Sequence, residues 1–254
     1  MLRLRNYTDL VLFKVYADLK SDTERNYLGW LWWVLEPIVQ IAIYYVVFGI
    51  FMASPIKNFF DFLLVGVVMW RWFSVSLTNS TVSIARHNHL LTQTHVPKLL
   101  FPLTALATDV VLFFIFYLVV ITFLLSGGHG VTMAWLMLPA VLLVQFIFTL
   151  GCALICAGVM PFAPDIRIVV ENALRAGFFL SGVFFSTSNL PLYLQEYMYL
   201  NPMAILLDVQ RAILISGEMT NFKGLLYALS VGMVLTTFGV LLIRRNEHVY
   251  PKVT

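Results

Sequence analysis

The chain has 254 residues, of which 60% are hydrophobic and only 11% are charged. Soluble domains carry about 25% charged residues, so this composition excludes a soluble globular domain and indicates an integral membrane protein. The net charge of +3 is too small to favour nucleic acid as a partner.

The first 30 residues contain several acidic residues and lack a short apolar core followed by small residues, so no cleaved signal peptide is predicted. Residues 7–25 instead show helical periodicity, with one apolar stripe formed by Leu12, Val15, Tyr16 and Leu19. We therefore expect an amphipathic helix at the membrane surface, against the alternative of an ordinary solvated helix.

A cluster of aromatic and basic residues follows this helix and marks a membrane entry point. Indole rings favour the headgroup level because one edge is apolar and the N–H group needs a polar partner. The predicted interface anchors are Arg25, Trp30, Trp32 and Trp33. The apolar run over residues 31–52 would extend about 33 Å as a helix, enough for a hydrocarbon core of about 30 Å.

Five further apolar segments and one broken segment complete the predicted fold. The spans are residues 59–80, 103–125, 133–159, 166–186 and 224–243. Residues 187–217 are apolar but are broken into two pieces too short to cross, which indicates a re-entrant helical hairpin. The prediction is a single all-α integral membrane domain over residues 1–254 with six transmembrane helices.

The distribution of basic residues predicts that both termini lie in the cytosol. Twelve Lys and Arg residues fall on that side of the topology. The other side has Lys57, Arg211 and Lys223. This orientation makes residues 84–98 a polar cytosolic segment.

Charge inside a membrane is costly and therefore points to function, and the sequence offers three candidates. They are Glu36, Arg71 and Asp109, all in the cytosolic half of the membrane. The alternative is that these charges only neutralise one another. In the fifth span, Glu171 and Arg175 have the i,i+4 spacing that allows them to pair.

The sequence shows no catalytic constellation, because its histidines lie in loops and in the tail rather than at membrane depth. His87 and His89 have no carboxylate close by, so no metal site is predicted. The chain also lacks a Gly-rich phosphate loop followed by Lys-Ser or Lys-Thr. We therefore expect no cofactor on this chain and no ATP bound by it alone.

Two spans carry clusters of aromatic residues, namely Tyr44, Tyr45 and Phe48 in the first, and Phe178, Phe179, Phe184 and Phe185 in the fifth. These rings either pack against lipid or form a stacking surface. Because sugar rings have C–H faces that pack on aromatic rings, a pore lined in this way would pass a glycan without gripping any one hydroxyl.

In order and spacing, a set of short motifs resembles those in the membrane subunit of type-2 ABC exporters for polysaccharides, the family that exports O-antigen, capsule and teichoic acid chains. The motifs cover nearly the whole chain and are Tyr27-Leu28-Gly29-Trp30-Leu31-Trp32 with Glu36-Pro37, Gly66 with Trp70-Arg71-Trp72-Phe73, Val96-Pro97-Lys98 with Phe101-Pro102, Asp165-Ile166, and Leu190-Pro191 with Asn201-Pro202. The chain has Pro164 before Asp165 where the family often has Arg, and Met69 before Trp70 where it often has Pro. The branch of the family is therefore left open.

This resemblance implies a homodimer with two copies of a separate ATPase subunit, which would bind ATP and Mg, around a pore for a lipid-linked glycan in the bacterial inner membrane. It implies that the first and fifth spans line the channel and that the hairpin lies at the outer exit. The amino-terminal helix would touch the ATPase and lipid headgroups. The 84–98 segment would be the coupling helix, with contact residues Arg86, His87, Asn88, His89 and Lys98.

Three other functions are compatible with the residues. Glu36, Asp109 and Arg71 could form a charge relay in an ion-coupled carrier, although no internal repeat supports one. A membrane-embedded transferase is disfavoured because no acid and nucleophile share one depth. An ABC exporter of a small lipid or a drug would also fit the aromatic lining.

Overall fold

The computed structural model describes residues 2–24, 27, 29, 31–86 and 96–250 of the chain. These ranges contain helices and no β-strand. The α-helices are α1 (Leu2–Glu24), α2 (Leu31–Tyr44), α3 (Phe59–Arg86), α4 (Leu100–Ser126), α5 (Leu138–Val159), α6 (Ile166–Leu180), α7 (Leu192–Met198), α8 (Pro202–Arg211) and α9 (Phe222–Arg245). Shorter segments extend three of them: π-helical Tyr45–Phe51 continues α2, 3₁₀-helical Met133–Met137 precedes α5, and π-helical Ala212–Ser216 continues α8.

Several of these helices have the length and composition of membrane spans. Within the described ranges, five stretches qualify: Leu31–Phe51, Phe59–Arg86, Leu100–Ser126, Met133–Val159 and Phe222–Arg245. The pair Leu192–Met198 and Pro202–Ser216 meets at a bend of 103°, in the region where the sequence predicts a re-entrant hairpin. Counted as one span, this pair raises the number of candidate spans to six. The prediction of an all-α membrane protein is therefore confirmed.

The predicted fifth span is shorter than the sequence indicated. Its helix, α6, has 15 residues and ends at Leu180 rather than at residue 186. A helix of this length extends about 22 Å, less than the roughly 30 Å of a hydrocarbon core. Gly182 follows with a φ of +75°, a left-handed conformation that favours glycine and turns the chain away from the helix axis. Phe184 and Phe185 therefore belong to a turn after the helix.

Helix α3 is the centre of the fold. It packs against α2, α4, α5, α6 and α8. In an apolar stretch of 18 residues along α3, 72% of the residues are buried, compared with 11% in the corresponding stretch of the first span. The most extensive helix pair, α5 with α9, meets through glycines. A Cβ on Gly151 would lie 2.7 Å from the Thr236 nitrogen, and one on Gly232 would lie 2.9 Å from the Phe148 nitrogen. Small residues allow this close approach of membrane helices.

The amino-terminal helix is longer than predicted and begins at Leu2. It packs against α4 and buries Val15, while Leu12, Phe13 and Tyr16 are exposed. Exposed apolar side chains on one helix are what a membrane-surface location requires. The location itself stays a prediction.

Candidate functional site

The aromatic residues of the first and fifth predicted spans meet in one cluster. The Tyr44 ring lies 5.3 Å from Phe178 and 5.1 Å from Phe184, centroid to centroid. Phe48, one helical turn further on, stacks on Phe184 at 4.2 Å. Edge and offset contacts of this kind stabilise aromatic pairs beyond the area that they bury. The cluster therefore fixes α2 against α6 and the turn that follows it.

The other predicted aromatic residues lie around this cluster rather than inside it. Phe179 contacts Phe178 and Phe184 but leaves 55% of its own surface exposed. Tyr45 points to the other side of α2, where it packs on Phe59 and Phe60 at the start of α3. Phe185 is partly exposed in the turn after α6. Because Phe178 and Phe184 are buried within the protomer, Tyr44, Phe48 and Phe179 are the rings that remain accessible.

A cavity of about 230 Å³ adjoins the aromatic cluster, between α2, α3 and α6. Its wall combines rings with groups that donate hydrogen bonds: Gln40, Tyr44, Trp70, Arg71, Ser74, Arg175 and Phe178. Gln40 donates to the Tyr44 hydroxyl at 3.1 Å, which orients both side chains along α2. The cavity therefore places two arginines beside an aromatic surface.

Two of the three predicted intramembrane charges form a direct ion pair. Arg71 donates to Glu36 with both nitrogens, Nη2 to Oε2 at 2.8 Å and Nη1 to Oε1 at 3.3 Å. The pair is partly accessible, since the side chains are 24% and 62% exposed. Asp109 is buried on α4 and accepts a hydrogen bond from Asn79 at 2.9 Å. Arg71, Asp109 and the predicted anchor Trp33 also line a second, smaller cavity.

In α6, the helix of the predicted fifth span, Glu171 forms its ion pair with Arg167. Glu171 accepts from Arg167, one turn before it, at 2.9 Å. The spacing also allows a pair between Glu171 and Arg175, but the structure does not form it. Arg175 instead lines the cavity, because it lies on the same face of α6 as Phe178 and Leu174.

The structure contains a buried polar centre that the sequence did not reveal. Arg211, at the end of α8, donates to three main-chain carbonyl oxygens: Phe62 at 3.1 Å, Gly182 at 2.7 Å and Val183 at 2.8 Å. Its guanidinium carbon also lies 3.5 Å from the centroid of the Phe62 ring. The count of basic residues assigned Arg211 to the side of the membrane opposite the cytosol, but its side chain is only 5% exposed. Its role is to join α8 to α3 and to the turn after α6.

Gly66 allows the contacts of Arg211, because a Cβ at position 66 would overlap Nη2 of that side chain. Gly177 allows a different close approach, since a Cβ there would come 2.8 Å from the Trp70 ring. Gly66 is part of a sequence motif given above. The need for a glycine at this position comes from Arg211, 145 positions away, and is visible only in the structure. A second buried pair joins α8 to α3 through α5: Gln210 donates to Gln145, and Gln145 donates to the Met69 carbonyl.

The predicted coupling segment begins and ends in well-packed structure. Arg86 is the last residue of α3. Ile84, the first residue of the segment, and Phe101, three residues after its end, belong to one buried cluster with Tyr250 of the tail. Lys98 is buried, and its main-chain N–H donates to Glu247 at 3.1 Å. His87, Asn88 and His89, like the anchors Arg25 and Trp30, lie outside the described residues.

Tyr250 fixes the tail to the end of α5. Its hydroxyl donates to the Gly158 carbonyl oxygen at 3.1 Å, and its ring contacts Phe162. Burial raises the pKa of Tyr250 to about 12, with the negative charge of Glu247 adding to the shift. The phenol is therefore neutral and able to donate across the physiological range.

On the opposite end of the helices, the α4–α5 loop is held by a histidine. His129 contacts Asp61 of α3 through Nε2 at 2.9 Å and the Ile215 carbonyl through Nδ1 at 3.3 Å. These contacts fix the end of the bent helix pair to α3. Among the described residues, no group of three or more His, Cys, Asp or Glu side chains has the arrangement of a metal site.

Comparison with known proteins gives matches along most of the chain. A family model described as ABC-2 type transporter matches residues 15–215. The O-antigen export system permease protein RfbA of Klebsiella pneumoniae is 25% identical over 246 residues, 96% of this chain and 95% of that protein. RfbA of Myxococcus xanthus is 27% identical over 91% of this chain and 90% of that protein. The polysialic acid transport protein KpsM of Escherichia coli is 25% identical over 91% of each chain.

Proposed function

Because the chain belongs to the ABC-2 type transporter family, we propose that it is the membrane subunit of an ATP-driven exporter of a lipid-linked polysaccharide. In this proposal two copies form the pore and two copies of a separate ATPase subunit supply the energy. The chain is a transport subunit of the bacterial inner membrane with both termini in the cytosol. ATP and Mg bind on the partner.

The observation that carries the proposal is similarity to polysaccharide-export permeases along the full length of the chain. Three such relatives cover 91% or more of it, so the likeness is not confined to one helix pair. Two carry the name O-antigen export permease and one is named for polysialic acid transport. A polysaccharide is the cargo class that these names share.

The geometry of the aromatic cluster supports a glycan cargo. Tyr44, Phe48 and Phe179 are accessible beside a cavity with hydrogen-bond donors. Aromatic faces pack on the C–H faces of sugars, while amide and hydroxyl groups exchange hydrogen bonds with sugar hydroxyls. Such a wall suits a polymer that must slide, because no contact is specific to one residue of the polymer.

The uneven packing of the spans supports a pore formed by two copies. In the first span, only 11% of the residues of an apolar 18-residue stretch are buried within the protomer. This span nevertheless contributes rings to the aromatic cluster and contributes Glu36 to the Glu36–Arg71 pair. An ion pair with a carboxylate 62% exposed is costly against lipid and is satisfied at a water-filled cavity. A second copy facing this span would enclose such a cavity.

A genetic experiment tests the proposal. The chain is produced together with its ATPase subunit in cells lacking their own exporter, and polysaccharide at the cell surface is measured. We expect surface polysaccharide only when both subunits are present. An ATPase with its phosphate-loop Lys replaced by Ala is the matched control and should abolish export. Surface polysaccharide that is independent of the ATPase would contradict the proposal and favour an ion-coupled carrier.

A further inference from the structure

His129, in the loop between α4 and α5, joins three parts of the chain. Its Nε2 lies 2.9 Å from Oδ2 of Asp61, in the first turn of α3, and its Nδ1 lies 3.3 Å from the carbonyl oxygen of Ile215. Ile215 belongs to the π-helical segment that ends the bent helix pair. The histidine therefore bridges the central helix and the bent pair through its two ring nitrogens.

The loop that carries His129 is also held by contacts that do not involve the ring. The main-chain N–H of His129 donates to the Leu124 carbonyl oxygen at 3.1 Å, which fixes the start of the loop to the end of α4. At the end of the loop, Thr132 packs against Gly217, where a Cβ would come 2.7 Å from Cγ2 of Thr132. The loop is thus placed against the end of the bent pair at two points.

Both groups that face the His129 ring are hydrogen-bond acceptors, so a neutral imidazole cannot satisfy them together. A neutral ring carries a single N–H group, whereas a carboxylate and a carbonyl oxygen only accept. With that hydrogen on Nδ1, the lone pair of Nε2 faces Asp61, and with it on Nε2, the lone pair of Nδ1 faces Ile215. An imidazolium donates to both acceptors. Protonation of Asp61, which would then donate to Nε2, adds the same single proton.

The burial of this pair makes the missing donor costly. The side chains of His129 and Asp61 are only 13% and 17% exposed, so water has little access to either group. A buried acceptor without a donor loses the free energy of its solvation, and hydrogen bonds to charged groups contribute more than neutral ones. The arrangement therefore favours the state that holds one added proton.

The other charged side chains of the elements around His129 are Lys57, Arg211 and Glu218. Lys57 precedes α3 and Glu218 follows the π-helical segment; both are exposed, and within the described part of the chain neither forms an ion pair. Arg211 is committed to three carbonyl oxygens. The loop itself has no other charged residue. Asp61 is therefore the titratable group that acts directly on the ring.

We propose that His129 is a proton-dependent positioning residue, which fixes the bent helix pair to α3 as an imidazolium and loosens it when the proton leaves. Histidine side chains change charge between about pH 5 and pH 8. Both contacts are made at the acid end of this range, and one of them is lost as the pH rises through it. The proposal goes beyond the proposed function, because it depends on neither the cargo nor the ATPase.

Hydrogen exchange of the full-length chain in phosphatidylcholine nanodiscs, measured by mass spectrometry at about pH 5 and about pH 8, tests the proposal. The readout is the protection of the main-chain amides of residues 212–218, corrected for the intrinsic dependence of exchange on pH. The variants are His129→Gln and Asp61→Asn. His248→Gln is the matched control, because His248 is an exposed histidine of the tail.

We expect protection of these amides in the wild type to fall about tenfold between the acid and the alkaline condition, the effect of losing one hydrogen bond to a charged group. His129→Gln should be weakly protected at both pH values, because a glutamine takes up no proton. Asp61→Asn should stay within about threefold of the acid wild type at both, since an amide at position 61 donates to Nε2 of a neutral ring whose Nδ1 donates to Ile215. His248→Gln should reproduce the wild type.

Protection that does not change with pH in the wild type would overturn the proposal. The same fall with pH in His129→Gln or in Asp61→Asn would also overturn it, because the proton would then be bound elsewhere. Loss of the pH dependence in His248→Gln would place that proton in the tail and have the same consequence. If His129→Gln does not fold, Asp61→Asn decides the question, since it changes the carboxylate to an amide of the same shape.

Discussion

Gly66 on α3 and Arg211 on α8 fit each other in the interior of the protein. The guanidinium group of Arg211 occupies the space where a side chain at position 66 would begin. It is held there by three carbonyl oxygens, from Phe62 and from the Gly182–Val183 turn. One missing Cβ therefore permits the contact that ties the bent helix pair and α6 to the central helix.

Replacing Gly66 by alanine should destabilise the protein. The methyl group would displace Arg211 from the carbonyl oxygens of three buried residues, at a cost of about 2–4 kcal/mol. We expect a melting temperature lower by roughly 5–15 °C in detergent, measured by differential scanning fluorimetry. Gly130→Ala is the control, because a Cβ there meets open space. A Gly66→Ala protein that melts together with the control would show that Arg211 is not fixed as described.

The Gln145–Gln210 pair should behave as a coupled unit. Gln145 and Gln210 are fully buried, and the Nε2 of Gln210 lies 2.6 Å from the Oε1 of Gln145. Gln145→Leu leaves the buried side-chain amide of Gln210 without its acceptor, which should cost about 1–3 kcal/mol. Adding Gln210→Leu removes the stranded amide, so the double variant should lose less than the sum of the single losses. Strictly additive losses in unfolding by SDS would contradict this coupling.

The aromatic surface should matter for export more than for assembly. Replacing Tyr44 and Phe48 together by alanine removes the accessible rings that the first span contributes to the aromatic cluster. We expect export to fall at least about tenfold, while the complex assembles and its ATPase rate stays within about twofold of the wild type. Phe238→Ala, which removes an exposed ring on α9, should export normally. Normal export by the double variant would assign these rings to lipid packing.

The buried cluster of Ile84, Phe101 and Tyr250 should control how ATP hydrolysis is linked to movement of the glycan. Tyr250 and Phe101 hold the two flanks of residues 84–98 in one cluster with Ile84. Tyr250→Ala leaves a cavity there, so a push on the segment would be absorbed locally rather than passed to α3 and α4. We expect less glycan exported per ATP hydrolysed, with His248→Ala, an exposed tail residue, as the control. Unchanged coupling would show that force passes by another route.

Hydrophobic runs were enough to predict the membrane class and most spans, because the bilayer dictates their length. The fourth span is found at Met133–Val159, the predicted residues. The second span was predicted too short, because residues 78–81 are all polar, yet α3 continues through them to Arg86. The end of α6 was misplaced for the opposite reason: residues 183–186 are partly apolar but follow a glycine in a left-handed turn.

Contacts between distant residues could not be read from local pattern. Arg211 resembles a loop cation in sequence, and only the carbonyl groups of α3 and of the turn after α6 show that it is buried. Glu171 has an arginine one turn away on either side, so spacing alone could not choose between Arg167 and Arg175. The family resemblance implied that the first and fifth spans line one channel, but the contact between Tyr44 and Phe178 is visible only in the structure.

Transport by the purified complex in proteoliposomes tests the central claim most directly. Vesicles containing the chain and its ATPase subunit are supplied with a fluorescent lipid-linked oligosaccharide, and its transfer across the bilayer is followed with and without ATP. The account predicts transfer that requires both subunits and hydrolysable ATP and that is unchanged by a proton or sodium gradient. Transfer by the chain alone, driven by an ion gradient, would contradict it.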